Sequence, residues 1–343
     1  MLASAIVMIG ARAGDAAPVQ VHNKLVFTQG QSWQKQTVWT INSDGSDARQ
    51  VWRVPHGYGH FGGFSSDGKQ AISCNQFNLY VHDLSTGHFR RLLVWANGGW
   101  SPQIGSAAFS PDNRHIVCSV SSSSTGDVES WVLILDAQKS YSVVDSDDIA
   151  RVQVRPASAD SNRFRYFQDV SWSSDGEHLI AMGGTWHASH FDGTSLEVWT
   201  MNLDGSQGNQ LTDNQLWEAN PVWNTKTNKI AFTRLYPDPR SDYANDKGSD
   251  LFLCDADGTN ERQLTHNARL PEDLNQVFRT ISAPQFSFDG TKIAFDMMNS
   301  GDADPRSTQT QREAFYQNWI YVTDSNGLRQ KRLVEGDLVQ WIP

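Results

Sequence analysis

Short apolar segments separated by turn residues follow one another along the chain. Residues 286–295 are the clearest case, because the sequence FSFDGTKIAF places an apolar segment on each side of an Asp-Gly pair. An Asp-Gly pair between two such segments is the strongest short-range signal of a β-hairpin. The pattern therefore predicts antiparallel strands joined by tight turns.

The same hairpin pattern recurs through the sequence. Each copy has a landmark aromatic residue at the end of its first strand, and four of the five copies continue as Ser-x-Asp. The landmarks are Phe64, Phe109, Trp172, Trp223 and Phe286. They lie about 55 residues apart on average, a repeat length close to that of propeller blades.

A second repeated pattern predicts two further strands in each unit. It is an apolar strand, aromatic in its middle in all copies but one, that ends in Asn or Asp; most copies are followed by a glycine turn and a short outer strand. The six copies are residues 38–42, 79–83, 132–136, 198–202, 251–255 and 320–324. Four antiparallel strands in each repeat make a propeller blade.

The two ends of the chain predict how the ring closes. Residues 24–28 have the form of a second strand, as in 228–232, but no inner strand precedes them; residues 338–341 supply one at the other end. Closure by this segment removes two exposed sheet edges. We therefore predict an all-β fold, a six-bladed β-propeller of four-stranded antiparallel blades, closed by the C-terminal strand completing blade 1. The predicted domain is 18–343, with blades at about 24–51 plus 337–342, 60–94, 105–144, 168–212, 219–265 and 282–334.

Blades with aromatic-Ser-x-Asp-Gly and a later Asp-Gly turn resemble those of the TolB-like propeller family. The resemblance covers about residues 24–343 and implies the propeller fold more specifically than any function. Family members can carry an α/β domain before the propeller. Only residues 1–23 precede the blades here, so that domain is expected to be absent.

The first 17 residues form a candidate targeting segment. An apolar run from Leu2 to Ala11 is followed by small residues around Ala16 and Ala17, as in a secretory signal peptide. This predicts a periplasmic or secreted protein. The alternative is a disordered tail on a cytoplasmic protein, because the usual basic residues before the apolar run are absent. No segment is long enough to span a membrane.

Charge and composition narrow the functional classes. The net charge of -10 disfavours a general nucleic-acid binder, which needs a basic surface. The three cysteines cannot all pair with one another, and Cys74 and Cys118 occupy equivalent repeat positions, which favours buried apolar residues. The sequence has no G-x-S-x-G, phosphate-loop or H-E-x-x-H motif. A monomer is expected.

The long loops between blades are expected to surround the mouth of the central channel and to form a binding face. The short Asp-Gly turns on the opposite face are expected to be structural. Aromatic, basic, acidic and amide side chains at or near this channel mouth suit a polar, anionic ligand such as a sugar acid or a peptide carboxylate. The alternative is that they plug the channel or pack between blades. The candidate ligand-binding residues are His56, His60, Trp100, Gln103, Tyr166, Gln168, Trp217, Glu218, Arg234 and Arg279.

A histidine pair provides a weaker candidate metal site. His187 and His190, with His60 or Glu218, could hold a divalent metal, although exposed loop histidines without any cofactor are the simpler interpretation. Some polysaccharide lyases use propellers, and they remove the proton beside a uronate with His, Tyr or Arg. The candidates for that chemistry are His60, Tyr166, His187, His190, Arg234 and Arg279.

Three functional hypotheses follow. The first is a binding or scaffold module that holds a protein segment or an acidic glycan at the channel mouth. The second is a metal-assisted lyase acting on a uronate-containing polysaccharide. The third is a structural propeller within a larger assembly. A shared fold does not decide among them, because function resides in the site.

Overall fold

The computed structural model consists of strands and turns. It describes residues 23–30, 36–55, 59–75, 77–94, 103–124, 127–141, 150–152, 165–185, 196–214, 216–236, 248–266, 278–300 and 317–342. These residues form six four-stranded antiparallel sheets. Within them, no helix has the length and apolar character needed to cross a bilayer.

The strands of the first three blades follow in chain order, with the last strand of the chain taken into blade 1. Blade 1 contains β24 (Asp337–Ile342), β1 (Lys24–Gln29), β2 (Thr37–Ile41) and β3 (Arg49–Arg53). Blade 2 contains β4 (His60–Phe64), β5 (Gln70–Asn75), β6 (Asn78–Asp83) and β7 (Phe89–Val94). Blade 3 contains β8 (Gln103–Phe109), β9 (His115–Ser124), β10 (Asp127–Asp136) and β11 (Ala150–Val152).

The remaining blades repeat the same order of strands. Blade 4 contains β12 (Arg165–Trp172), β13 (His178–Thr185), β14 (Glu197–Asn202) and β15 (Asn209–Gln210). Blade 5 contains β16 (Trp217–Asn224), β17 (Lys229–Tyr236), β18 (Gly248–Asp255) and β19 (Arg262–Gln263). Blade 6 contains β20 (Phe278–Phe286), β21 (Lys292–Ser300), β22 (Gln317–Asp324) and β23 (Lys331–Glu335).

The Ser-x-Asp-Gly turn is held by a hydrogen-bond network that its own residues supply. In blade 6 the hydroxyl of Ser287 donates to Asp289 Oδ1 at 2.7 Å, the N–H of Thr291 donates to the same oxygen at 3.0 Å, and the N–H of Lys292 donates to Ser287 Oγ at 3.0 Å. Gly290 follows with a φ of 70°, a conformation that glycine adopts at low cost. The Ser-to-Asp bond recurs in blades 2, 3 and 4, so the repeated sequence specifies the turn locally.

The ring closes through the C-terminal strand, as predicted. Strand β24 pairs antiparallel with β1, and Trp341 lies opposite Leu25. Gly336 permits this approach, since a Cβ there would lie 2.7 Å from Phe27 Cδ2. The inner strand of blade 1 therefore comes from the end of the chain and the other three strands from its start.

The hydrophobic core lies between neighbouring blades. Each of the six buried clusters joins two adjacent sheets, including the junction of blade 6 with blade 1. Both faces of the second and third strands are consequently buried, which explains their continuous apolar sequences. The three cysteines are unpaired and buried, and burial raises the pKa of each thiol to about 12.

The inner strands carry a β-bulge at a similar height in every blade. In blades 4, 5 and 6 the bulge includes a residue with φ near 50°, namely Asp169, Asn220 and Ala283. Asn and Asp tolerate this left-handed region better than most residues. A bulge redirects a side chain and interrupts pairing, and here it places polar groups around the axis of the propeller.

Candidate functional site

A central cavity of about 720 Å³ runs from the bulges to the Asp-Gly turns. Its end at the bulges is called the inner end and its end at the turns the outer end. This volume falls within the range of about 300–1,000 Å³ typical of ligand pockets. Its outer part is bounded by residues of the turns themselves, such as Ser66 and Ser174. The landmark aromatic of every blade contributes to its wall: Phe64, Phe109, Trp172, Trp223, Phe286 and Trp341.

The bulges are tied together by hydrogen bonds between neighbouring blades. The N–H of Val170 donates to Ser106 Oγ at 3.1 Å, which joins blades 4 and 3. The N–H of Ala283 donates to Asn220 Oδ1 at 3.4 Å, which joins blades 6 and 5. Gln340 accepts from the N–H of Phe64 at 3.0 Å and donates to its carbonyl at 3.1 Å, which joins blades 1 and 2. These bonds hold the inner end of the cavity in a fixed geometry.

Of the described residues that line the cavity, Asp169 is the one with an ionisable side chain. Its Oδ2 accepts hydrogen bonds from the N–H of Asn220 at 3.1 Å and from Asn220 Nδ2 at 3.2 Å. Its other oxygen accepts no hydrogen bond from any residue that the structure describes. Burial raises the pKa of this carboxyl group, and the hydrogen bond from the backbone of Asn220 offsets only part of that effect. The cavity therefore has an acidic group at its inner end.

A second polar cluster lies at the junction of blades 4 and 5. Asn214 bridges two buried glutamates: its N–H donates to Glu197 Oε1 at 3.1 Å and its Nδ2 donates to Glu218 Oε1 at 2.9 Å. The Oε2 atom of each glutamate is buried and has no hydrogen-bond partner among the described residues. Burial raises the pKa of Glu218 to about 7, and the neighbouring Glu197 adds to the shift.

Arg234 provides the positive charge in this cluster. Its Nε donates to Glu218 Oε1 at 2.6 Å, and its two terminal nitrogens bind both oxygens of Glu261 at 2.6 and 2.8 Å. The guanidinium also lies 4.3 Å from the ring centre of Phe252. Two carboxylates hold the pKa of Arg234 above its ordinary value. The positive charge of Arg234 is therefore paired with carboxylates of its own blade.

The structure thus brings together two of the residues predicted from the sequence, Glu218 and Arg234. Glu218 is fully buried, so it lies inside the blade rather than on the surface of the mouth. Ligand binding by this pair stays a prediction.

The other predicted residues are described only in part. His60 is exposed, and its Nε2 lies 3.0 Å from Cys74 Sγ. Gln168 and Trp217 are half-buried on the inner strands β12 and β16. Gln103, Tyr166 and Arg279 lie on inner strands β8, β12 and β20. His56, Trp100, His187 and His190 lie outside the described residues.

A divalent-metal site at His187 and His190 was the weaker alternative that the sequence offered, with no cofactor as the simpler expectation. The residues that the structure describes contain no group of three His, Cys, Asp or Glu side chains placed to hold a metal ion. The predicted pair, His187 and His190, lies outside those residues, so the divalent-metal hypothesis stays a prediction.

Sequence reasoning did not identify Asp169. It lies three residues before the landmark Trp172, the position that Asn220 and Ala283 occupy before their own landmarks. A polar residue three positions before the landmark in two of these blades, Asp169 and Asn220, is a usable signal. It was missed because the bulge that turns this position toward the axis has no hydrophobic periodicity of its own.

Comparison with known proteins supports the fold. No protein-family model and no curated protein matches the sequence. Among solved structures, a putative TolB from Agrobacterium tumefaciens is similar with a TM-score of 0.56 and 15% identity over 91% of this chain and 90% of that one. TolB from Acinetobacter baumannii has a TM-score of 0.55 and 14% identity, covering 94% of this chain and 67% of that one.

An oligogalacturonate lyase in complex with manganese is also similar, with a TM-score of 0.49 and 16% identity over 93% of this chain and 75% of that one. The similarity to the TolB structures confirms the TolB-like propeller fold predicted from the repeats. At these identities the comparison shows the fold alone, and the similarity to the lyase carries no argument about catalysis.

Proposed function

We propose that this propeller is a binding module that takes a segment of another protein into its central channel. The observation that carries the proposal is the central cavity, which is large enough for a ligand and is lined by apolar residues of all six blades, with polar groups at its inner end. Such a combination of apolar walls and a few fixed polar groups is typical of binding sites. The blade-to-blade hydrogen bonds keep the site preorganised, which lowers the cost of binding.

The charges around the cavity favour a protein segment over an acidic glycan. Within the part of the chain that the structure describes, the lining residues include one acid, Asp169, and no Lys, Arg or His. A uronate in this cavity would lie near a carboxyl group without a cation to pair with it, and unpaired charge removed from water is costly. The cation near the mouth that the sequence assigned to an anionic ligand, Arg234, already pairs with Glu218 and Glu261.

The proposed location of the protein is the periplasm or the outside of the cell. It rests on the apolar run from Leu2 to Ala11 and the small residues after it. Mass spectrometry of the purified mature protein is expected to show cleavage near Ala17.

Peptide display tests the binding proposal directly. A library of unstructured peptides is selected on the wild-type propeller and then titrated against two variants. Gln285→Trp fills the cavity, and Gln285 makes no hydrogen bond to a described residue that the change would remove. Gln138→Trp makes the same change on an exposed surface. We expect Gln285→Trp to abolish peptide binding and Gln138→Trp to preserve it.

The outcome that contradicts the proposal is equally specific. If the selected peptides bind Gln285→Trp as tightly as they bind the wild type, while both variants unfold at the wild-type temperature, the ligand does not occupy the channel.

A further inference from the structure

We propose that the central channel is specific for a primary ammonium group on an aliphatic stem, such as a lysine side chain of the bound segment, with Asp169 as its counter-ion. This inference deepens the proposed function and rests on it for the protein origin of the ligand. The observations that carry it are the position of one carboxyl group, its oxygen without a described hydrogen-bond donor, and the absence of a competing cation among the described lining residues.

The carboxyl group of Asp169 is oriented for a ligand. The bulge holds Asp169 at a φ of 49°, and Asn220 of the next blade fixes the side chain through both of its N–H donors. Both bonds go to Oδ2. No described residue donates a hydrogen bond to Asp169 Oδ1, so this oxygen can accept one from a ligand. An ionised carboxylate has about four lone-pair sites, so a donor from a ligand can be accommodated.

The neighbouring groups suit an ammonium ion. The two blades that flank Asp169 supply further acceptors to the lining, the hydroxyl of Ser106 from blade 3 and the amide oxygen of Asn220 from blade 5, and an ammonium group has three donors to satisfy. The half-buried Trp223 is among the lining residues, and aromatic faces attract cations. The net charge of -10 on the chain further favours a cationic partner.

Among the described residues that line the cavity there is no Lys, Arg or His that could neutralise Asp169. Lys226 lies at the outer rim of the channel, where its ammonium nitrogen is 3.1 Å from the ring centre of Phe288. That contact shows that an aromatic residue of the turn face receives an ammonium group within this chain. A bare divalent cation fits less well, because Ca²⁺ takes six to eight oxygen ligands that usually include several carboxylates.

The test uses a charged probe and a neutral one of nearly the same shape. Nα-acetyl-lysine methylamide carries the ammonium group, and its Nε-acetylated form does not. Binding is followed by intrinsic tryptophan fluorescence, to which Trp172, Trp223 and Trp341 contribute from the cavity wall. The variant is Asp169→Asn, which keeps the size of the side chain and tolerates the same φ. The control is Asp47→Asn, an exposed aspartate with a φ of 54°.

We expect the charged probe to bind the wild type about tenfold more tightly than the neutral probe, as one charge-assisted hydrogen bond predicts. Asp169→Asn is expected to remove that preference and Asp47→Asn to retain it. Equal binding of the two probes to the wild type would overturn the proposal. Asp169-dependent binding of CaCl₂ without binding of the charged probe would also overturn it.

The two proposals fail separately. If selected peptides depend on an open channel but bind equally well after acetylation of their lysines, the protein segment stands and the ammonium specificity is wrong. If the small charged probe binds through Asp169 but no displayed peptide does, the ammonium site stands and the partner is not a protein segment.

Discussion

The inner end of the channel and the junction of blades 4 and 5 use the same kind of group in opposite ways. In both regions burial raises the pKa of a carboxyl group, that of Asp169 in the channel and that of Glu218 at the junction. At the junction Glu218 Oε1 accepts hydrogen bonds from both Arg234 and Asn214, so Glu218 has a cationic partner within the protein. In the channel Asp169 lines a cavity to which the described part of the chain contributes no Lys, Arg or His.

The contrast between Asp169 and Glu218 shows that a charged side chain near a channel is not by itself evidence of a binding site. Sequence reasoning selected Glu218 and Arg234 because their residue types suit ligand chemistry. The structure shows that the two residues bind each other inside the blade. A residue becomes available to a ligand when its neighbours leave part of its hydrogen-bonding capacity unused beside an open volume, as they do at Asp169.

The largest expected effect comes from removing the cation at the junction. Arg234→Met keeps the aliphatic volume but leaves Glu218 and Glu261 without their partner, so we expect a loss of about 3 kcal/mol in the free energy of unfolding. Urea denaturation measures it. The control is Arg114→Met, whose side chain is 81% exposed, with an expected change within about 0.5 kcal/mol. A loss below about 1 kcal/mol for Arg234→Met would mean that the junction is not held by this cation.

A smaller effect is expected from pH at the same junction. Because the pKa of Glu218 is about 7 in the folded protein and ordinarily 4.5, the folded state retains a proton that the unfolded state loses. Its contribution to stability is therefore complete below about pH 4.5 and is lost as the pH rises through about 7. Glu218→Gln should flatten the fall in stability over this window, and the exposed Glu177→Gln should not. Identical pH profiles for the wild type and Glu218→Gln would contradict this assignment.

The smallest expected effect lies in the turns that border the channel. Hydrogen bonds from the hydroxyl of Ser287 and from Thr291 lower the pKa of Asp289 to about 2. Asp289→Ala removes the acceptor, and we expect it to cost about 1 kcal/mol of unfolding free energy. The wild-type contribution should disappear as the pH falls from about 4 toward 2, because the depressed carboxyl becomes protonated there. A mutational loss that stays constant down to pH 2 would show that the carboxylate charge is not involved.

The sequence predicted the fold because the information that specifies each turn is local. Ser287, Asp289 and Gly290 form one network within a few residues, and the repetition of this motif reveals the number of blades. The closure of the ring could also be predicted, because the segment that contains Trp341 has the form of the inner strand that is missing before Lys24.

The candidate site was harder to predict from the sequence. The channel end where Asp169 lies depends on bulges, whose register shifts leave the apolar pattern of the strand unchanged. The expectation that the Asp-Gly face is structural holds for the turns themselves, which are held by their own hydrogen bonds. It did not anticipate that these turns border a cavity. The predicted mouth residues His56, Trp100, His187 and His190 lie outside the described residues, so their roles stay predictions.

The most direct test of the central claim is the titration of the Asp169 carboxyl group by ¹³C NMR, with its resonance assigned by its loss in Asp169→Asn. In the free protein its pKa is predicted to lie above 3.8, the ordinary value for aspartate. Addition of n-butylammonium should lower that pKa, because a bound cation favours the ionised form, whereas n-butanol should leave it unchanged. A pKa that responds to neither compound would contradict an ammonium site in the channel.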